Sequence, residues 1–274
     1  MQKSNANNAQ GIDVSHHNGS ISWDQVRAAG KSFVFIKASQ GISYRDPKFL
    51  TNVKEARRAG LLVGAYHFLD ATSAATAKAE ASNFHSAMQA AGGPAVFELP
   101  PVLDYEDNPG KLSKVQITAV AEAFLTEIER LTGRKPLLYS GNSFAGNFEA
   151  KLSKYKLWVA RYSTEVPYTV PAWSAWSFWQ YSSKGKVAGI QGNVDLNEYA
   201  GTVEELYAAF GVGVKAGEKD SDKQDKDSGH KTPPLWKEQG RQWLIKKLGL
   251  SEEWASEDPI DIGTLGTLLS RFHT

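Results

Sequence analysis

Asp104 and Glu106 stand two residues apart in Val102-Leu103-Asp104-Tyr105-Glu106, directly after Pro100-Pro101. On a strand, alternate residues share a face, so both carboxylates point the same way with Cα atoms roughly 6–7 Å apart. Two carboxylates in one cleft repel, and partial burial disfavours charge further. One of them is then expected to keep its proton to a higher pH than a free acid. A protonated acid beside an ionised one is the division of labour that glycoside hydrolysis requires. The triplet alone is a weak signal, because acidic pairs are common on solvent-facing edge strands; the apolar Pro-Pro-Val-Leu ahead of it adds weight.

Asp13 and Asp195 come from the first and last strands that the pattern predicts. A closed barrel makes those strands neighbours, so four acids would share one mouth. A divalent metal is the competing explanation for such a cluster. The companions at the other strand ends are Lys37, His67, Tyr139, Arg161 and Gln180, and there is no Asp-rich calcium loop. Aromatic and amide groups suit a sugar cleft better, so no metal is expected. His16 and His17 are read as hydrogen-bonding neighbours of carboxylates or backbone. Of the dense group Trp173, Trp176 and Trp179, one is expected to face the cleft as a sugar platform while the others pack as core.

Positioning such residues calls for parallel strands whose carboxyl ends converge on one face. Short apolar runs predict strands at Gly11–Val14, Phe33–Lys37, Leu62–His67, Val102–Glu106, Leu137–Ser140, Leu157–Ala160, Phe178–Tyr181 and Gly192–Asp195. Helical spacing predicts helices at Trp23–Ala29, Pro47–Ala59, Ala74–Ala91 and Ser113–Leu131, the last opened by Ser113 and stopped by Gly133. Connections between Tyr139 and Asp195 are too short or too rich in Trp and Ser for full helices. A final helix at Val203–Phe210 closes the unit. The class is α/β: an irregular, flattened (βα) TIM-like barrel of eight strands with few late helices.

The barrel is expected to span 1–210. Residues 211–234 combine glycine, interleaved charges and a terminal Pro-Pro with almost nothing to bury, and are read as a flexible charged linker. Residues 235–274 regain helical spacing, with Trp236, Trp243, Leu244 and Leu248 before the Asp258-Pro259 turn and Leu265, Leu268, Leu269 and Phe272 after it. They are read as a small helical module.

The 274 residues carry 31 basic and 30 acidic side chains, a formal charge of +1. That balance gives no electrostatic case for nucleic acid or an anionic membrane as partner. No apolar run approaches the roughly 18–20 residues that span a bilayer, so no membrane insertion is expected. The absence of cysteine excludes disulfides, a thiolate zinc site and a cysteine nucleophile. No serine has the G-x-S-x-G setting and no glycine-rich loop resembles a phosphate cradle, so no cofactor is expected.

Six segments in order, Gly11-Ile-Asp-Val-Ser15, Tyr66-His-Phe68, Leu103-Asp-Tyr-Glu106, Leu157-Trp-Val-Ala-Arg-Tyr162, Trp179-Gln-Tyr181 and Val194-Asp-Leu-Asn197, resemble the glycoside hydrolase family 25 muramidases, the Chalaropsis-type lysozymes and many phage endolysins. The resemblance spans about residues 11–210. It implies cleavage of the β-1,4 bond between N-acetylmuramic acid and N-acetylglucosamine in bacterial peptidoglycan. By motif matching, Glu106 is the general acid. Asp104 either orients the substrate's 2-acetamido group or acts as nucleophile, and Asp13 and Asp195 line the site. Tyr66, Tyr139, Arg161, Trp179 and Gln180 are candidates to hold sugar or peptide. The resemblance and the acetamido neighbour favour retention of configuration.

An enzyme of this kind acts on the extracellular wall. The polar start MQKSNANNAQ lacks the apolar stretch of a secretory signal. The expectation is that a signal has been removed, or that a phage-encoded enzyme is released at host lysis. Residues 235–274 would then bind a wall polymer or dimerise. The alternatives are a chitin or glucosaminide hydrolase, since D-x-E on a barrel strand serves that class too, and a catalytically silent wall-binding lectin.

Overall fold

Eight strands close on themselves in the computed structural model, which describes residues 1–210. The linker expected at 211–234 and the helical module expected at 235–274 lie outside the described residues. In chain order the elements are β1 Gln10–Val14, α1 Trp23–Ala28, β2 Phe33–Gln40, β3 Tyr44–Arg45, α2 Phe49–Arg58, β4 Leu62–Phe68, α3 Ala74–Ala90, β5 Val102–Asp104, α4 Lys114–Thr132, β6 Leu137–Gly141, β7 Lys156–Ala160, β8 Phe178–Gly185, β9 Val194–Tyr199 and α5 Val203–Phe210.

β1, β2, β4, β5, β6, β7 and β8 pair in parallel in that order, and β9 closes the ring antiparallel to both β8 and β1. β3 is a two-residue hairpin partner on the end of β2 that the sequence pattern does not announce. The expected barrel with few late helices is the observed one: β6 and β7 are joined only by short 3-10 turns at Phe144–Asn147 and Ala150–Lys154.

Two expectations need correction. The last strand runs opposite to the others, so Asp195 stands near its beginning rather than at its carboxyl end. It reaches the mouth because an antiparallel strand starts where its neighbours finish. Strand β5 stops at Asp104, so Glu106 sits on the segment that follows the strand, not on the strand itself.

Local signals explain the long helices. Ser113 accepts from the Gln116 backbone N–H, and the Gln116 side chain accepts in return from the Ser113 backbone N–H. At the other end Gly133 takes the left-handed conformation at φ 66° and closes α4. Ser73 and Thr76 form the same kind of box at the start of α3. The two helices pack on each other and on the barrel wall through Phe84, Met88, Ile117, Phe124 and Leu125, all buried.

The barrel interior is filled from below by Phe33, Phe35, Leu62, Val102, Leu137, Trp158 and Phe178. Phe35 stacks on Trp158 with centroids 4.4 Å apart, and Phe178 meets Phe35 edge-on at 5.1 Å. Burial of one such ring stabilises by about 1.5–3 kcal/mol. These rings dictate glycine opposite them. A Cβ at Gly11 would lie 2.4 Å from the Phe33 ring, and one at Gly64 would lie 2.4 Å from the Phe35 ring. The apolar plug leaves the upper ends of the strands as the only layer of the interior where polar groups gather.

Candidate active site

Alternation along each strand brings Asp13 of β1, Tyr66 of β4, Asp104 of β5, Tyr139 of β6, Gln180 of β8 and Asp195 and Asn197 of β9 to the upper interior. Asp13 and Asp195 are direct partners across the β1–β9 pairing. Asp13 is 6% exposed and its Oδ1 accepts from Gln180 Nε2 at 2.8 Å and Asn197 Nδ2 at 2.7 Å. Asn197 is itself oriented by the Trp158 indole N–H, 2.8 Å from its Oδ1. Gln180 Oε1 accepts the hydroxyls of Tyr139 at 2.7 Å and Tyr162 at 2.6 Å.

Asp104 is equally buried at 6% exposure, and its Oδ1 has no hydrogen-bond partner among the described residues. Glu106 is exposed at the mouth. Its place is fixed through the backbone before it. The Asp104 carbonyl accepts from Leu69 N–H at 2.9 Å, Tyr105 N–H donates to the Tyr139 carbonyl at 3.0 Å, and Ser140 Oγ donates to the Tyr105 carbonyl at 2.8 Å. Beyond Glu106, the Asn108 side chain holds both the N–H and the carbonyl of Leu112. The acid therefore projects from a tethered turn.

All four carboxyls are harder to ionise than free ones. Burial, then the Asp195 charge, push Asp13 up to about 8, against the two amide donors that favour its anion. Burial lifts Asp195 to about 6. Burial and the Glu106 charge hold Asp104 well above the usual carboxylate range, with Lys37 offsetting part of the effect. Glu106 is raised by burial and by Asp195, while the nearby Tyr139 hydroxyl and Lys37 act the other way. Lys37, on β2, donates to Gln40 Oε1 at 2.8 Å and lies 4.9 Å above the Phe68 ring. This mouth favours a protonated acid at its rim, over deeper carboxyls that also give up their protons less readily than free ones.

Not every expected residue joins the cluster. Tyr66 lies among the acids, its ring edge-on to Trp158 at 6.3 Å and its hydroxyl made less acidic by burial and the Asp13 charge. Trp179 does not face the mouth: next to Gln180 on one strand, it points to the opposite face, packs on Trp176 and donates its N–H to the Arg161 carbonyl at 3.0 Å. Trp173 and Trp176 are buried as well, bonded to the carbonyls of Tyr155 and Gln2. All three are buried, and none is placed at the mouth where one was expected. Arg161 follows β7 and spends its guanidinium on Glu165 at 2.7 Å and over the Tyr168 ring at 5.0 Å.

His67, expected at the mouth, points outward beneath α3 and binds Ser39 and Glu80. His16 is bonded to the Asp46 carboxylate at 2.7 Å, as its type suggested. Sequence reasoning passed over Tyr162 and Asn197 as individual site residues. Asn197 shares the parity of Asp195 on a strand, a signal that was available. Among the described residues no group of three or more His, Asp or Glu side chains is arranged to hold a metal ion. A cavity of about 780 Å³ lined by His17, Asn18, Ser22, Gln25, Gly189 and Gln191, among others, contains none of the four acids.

With this geometry in view, comparison with known proteins adds four findings. The family described as "Glycosyl hydrolases family 25" matches residues 12–190. Lysozyme M1 of Streptomyces globisporus is 37% identical over 210 residues, covering 73% of this chain and 70% of that protein. The N,O-diacetylmuramidase of Chalaropsis sp is 31% identical over 205 residues, covering 68% of this chain and 95% of that protein. Among solved structures, the bacterial lysozyme from Streptomyces coelicolor superposes with a TM-score of 0.68 at 34% identity, over 76% of this chain and 99% of that one.

Proposed function

The chain belongs to glycosyl hydrolases family 25, and from that premise we propose that Glu106 is the acid with which it opens the peptidoglycan backbone. The protein is a glycoside hydrolase of the lysozyme type, a muramidase acting on the bacterial wall. The observation that carries the assignment is the contrast between an exposed Glu106 at the rim and buried, crowded carboxyls below it. Although its tip is exposed, the surrounding protein partly desolvates Glu106, and this and then the Asp195 charge favour its protonated form; a rim acid can reach the oxygen between N-acetylmuramic acid and N-acetylglucosamine. Its proton passes to that oxygen as the glycosidic bond breaks.

Asp104 serves the sugar on the other side of the bond. Its Oδ1 has no partner among the described residues, and a buried acceptor left unmatched costs about 1–3 kcal/mol. The amide N–H of a 2-acetamido group would supply the missing donor and favour the carboxylate. Held that way, the acetamido oxygen is placed to attack the anomeric carbon, which gives retention; NMR of the first-formed anomer reads this directly. Asp13, Gln180, Asn197 and Tyr139 form the hydrogen-bonded floor, with Asp195 and Tyr66 beside them.

The residues at 235–274 complete the reading as a tether to a wall polymer or a dimer contact, and deleting 212–274 separates these by wall pelleting and by oligomeric state. The test of the main assignment is Glu106→Gln. The variant is expected to bind purified walls as the wild type does and to lose lysis by about 10²–10⁴-fold. Clearing of a cell suspension at the wild-type rate by that variant contradicts the assignment.

A further inference from the structure

Gln180 is 3% exposed, and its side-chain amide makes three hydrogen bonds. Its Nε2 donates to Asp13 Oδ1 at 2.8 Å, which turns Oε1 to the opposite side. There Oε1 meets two phenols at once, Tyr139 at 2.7 Å and Tyr162 at 2.6 Å. A carbonyl oxygen has two lone pairs, so it accepts both. The two tyrosines differ in setting: Tyr139 is buried on β6, whereas Tyr162 is 56% exposed on the segment after β7. An exposed phenol can satisfy itself with water, so its bond to a buried amide is not needed to relieve Tyr162. It is Gln180 that gains a second donor.

The Tyr139 hydroxyl has one proton, which goes to Gln180 at 2.7 Å, and the same hydroxyl lies near enough to the Glu106 carboxyl to favour its ionised form. While Glu106 holds its proton, Tyr139 donates to Gln180. Once that proton has gone to the leaving oxygen, a carboxylate stands beside Tyr139 and is the stronger acceptor. Turning to it would strip a buried amide oxygen of its donor unless another remained. Tyr162 is that other donor.

We infer that Tyr162 is a positioning residue for the acid, its hydroxyl holding Gln180 so that the Tyr139 hydroxyl is free to turn to Glu106 as the glycosidic bond breaks. No proton leaves either tyrosine; only the direction of one hydrogen bond changes. The inference rests on Glu106 being the general acid. The other charged groups facing Glu106 are Asp195 from β9, Asp13 from β1, Asp104 from β5, Lys37 from β2 and its chain neighbour Asp107, and a change from Tyr162 to Phe leaves all of their charged side chains in place.

The test is the pH dependence of Tyr162→Phe on soluble peptidoglycan, beside Tyr139→Phe, the double variant and Glu106→Gln. Phenylalanine keeps the ring and its packing and removes only the hydroxyl. With one donor left for Gln180, Tyr139 is retained there. The expected result is kcat about fivefold lower, the worth of one ordinary hydrogen bond, with KM unchanged. The alkaline limb moves up by roughly half a pH unit, because the Glu106 carboxylate has lost a donor. Tyr139→Phe gives the same displacement and the double variant adds nothing to it. Wild-type kcat and limb in Tyr162→Phe, a rise in KM alone, or additive displacements in the double variant overturn the inference. Turnover by Glu106→Gln overturns instead the reading on which it rests.

Discussion

Asp13 and Asp195 face each other as direct antiparallel partners across β1 and β9, which crowds two carboxyls at one side of the barrel mouth. Burial raises both above a free carboxylate, and the Asp195 charge raises Asp13 further. After burial, the Asp195 charge is the largest influence raising Glu106. The antiparallel closing strand thus brings to the rim the charge that, after burial, most favours the protonated acid.

Replacing Asp195 by Asn removes that charge. Glu106 should then lose its proton at a lower pH, and the alkaline limb of kcat/KM should move down by roughly half to one unit. A pH–rate profile on soluble peptidoglycan reads the shift. An unmoved limb would mean that Asp195 does not govern the acid.

Asp13 carries a stability signature of opposite sense to an ordinary carboxylate. Its folded-state value of about 8 lies above the unfolded one of 3.8. Its contribution is therefore complete below about pH 4 and is lost as pH rises through the folded value. Asn at position 13 cannot ionise, and its Oδ1 can still accept from Gln180 and Asn197. Asp13→Asn should melt higher than wild type at pH 8 by about 2 kcal/mol, some 4–8 °C for a domain of this size. The gap should vanish near pH 4, while lysis falls. The same gap at both pH values would contradict the account.

Glu80 of α3 accepts from His67 Nε2 and from the Asp70 N–H, both at 3.0 Å, while Ser39 Oγ lies 2.8 Å from His67 Nδ1. Burial lowers the His67 value, so the ring is neutral, with Nε2–H donating to Glu80 and Nδ1 accepting from Ser39. Glu80→Ala leaves two buried donors without partners and should cost about 3 kcal/mol in urea denaturation at pH 7. In the wild type, the His67 contribution is present above the unfolded value of 6.5 and is lost as pH falls through the lower folded one. A variant as stable as wild type at pH 7 would show that the buried trio does not hold α3 to the wall.

The barrel and most of its strands were legible because its plug is apolar and its early helices carry caps: Phe33–Phe35, Leu62–Val63 and the Ser113 and Gly133 pair read directly as structure. The last strand was legible only at its start, Val194–Asp195, and not in its extent or direction. Its inward positions, Asp195 and Asn197, are polar because they form the site, so Val194–Tyr199 lacks the alternation of a buried strand. Gly192, at φ 85°, belongs to the turn before it rather than to the strand itself.

The acids were legible as types and spacing, and the floor beneath them was not. Trp179 and Gln180 were both assigned to the cleft, although neighbours on a strand cannot share a face. Parity alone excludes one of them, and Gln180 is the one bonded to Asp13. Tyr66 and His67 repeat the lesson on β4. Tyr162 escaped notice for a different reason: it stands outside any strand, and its role depends on the tertiary approach of β7 and β8 that places it over Gln180.

The most direct measurement is mass spectrometry of borohydride-reduced fragments released from Gram-positive peptidoglycan by the full chain. Cleavage after N-acetylmuramic acid predicts that every new reducing end is recovered as reduced N-acetylmuramic acid. New ends recovered as reduced N-acetylglucosamine, or no release from any wall tested, would contradict it.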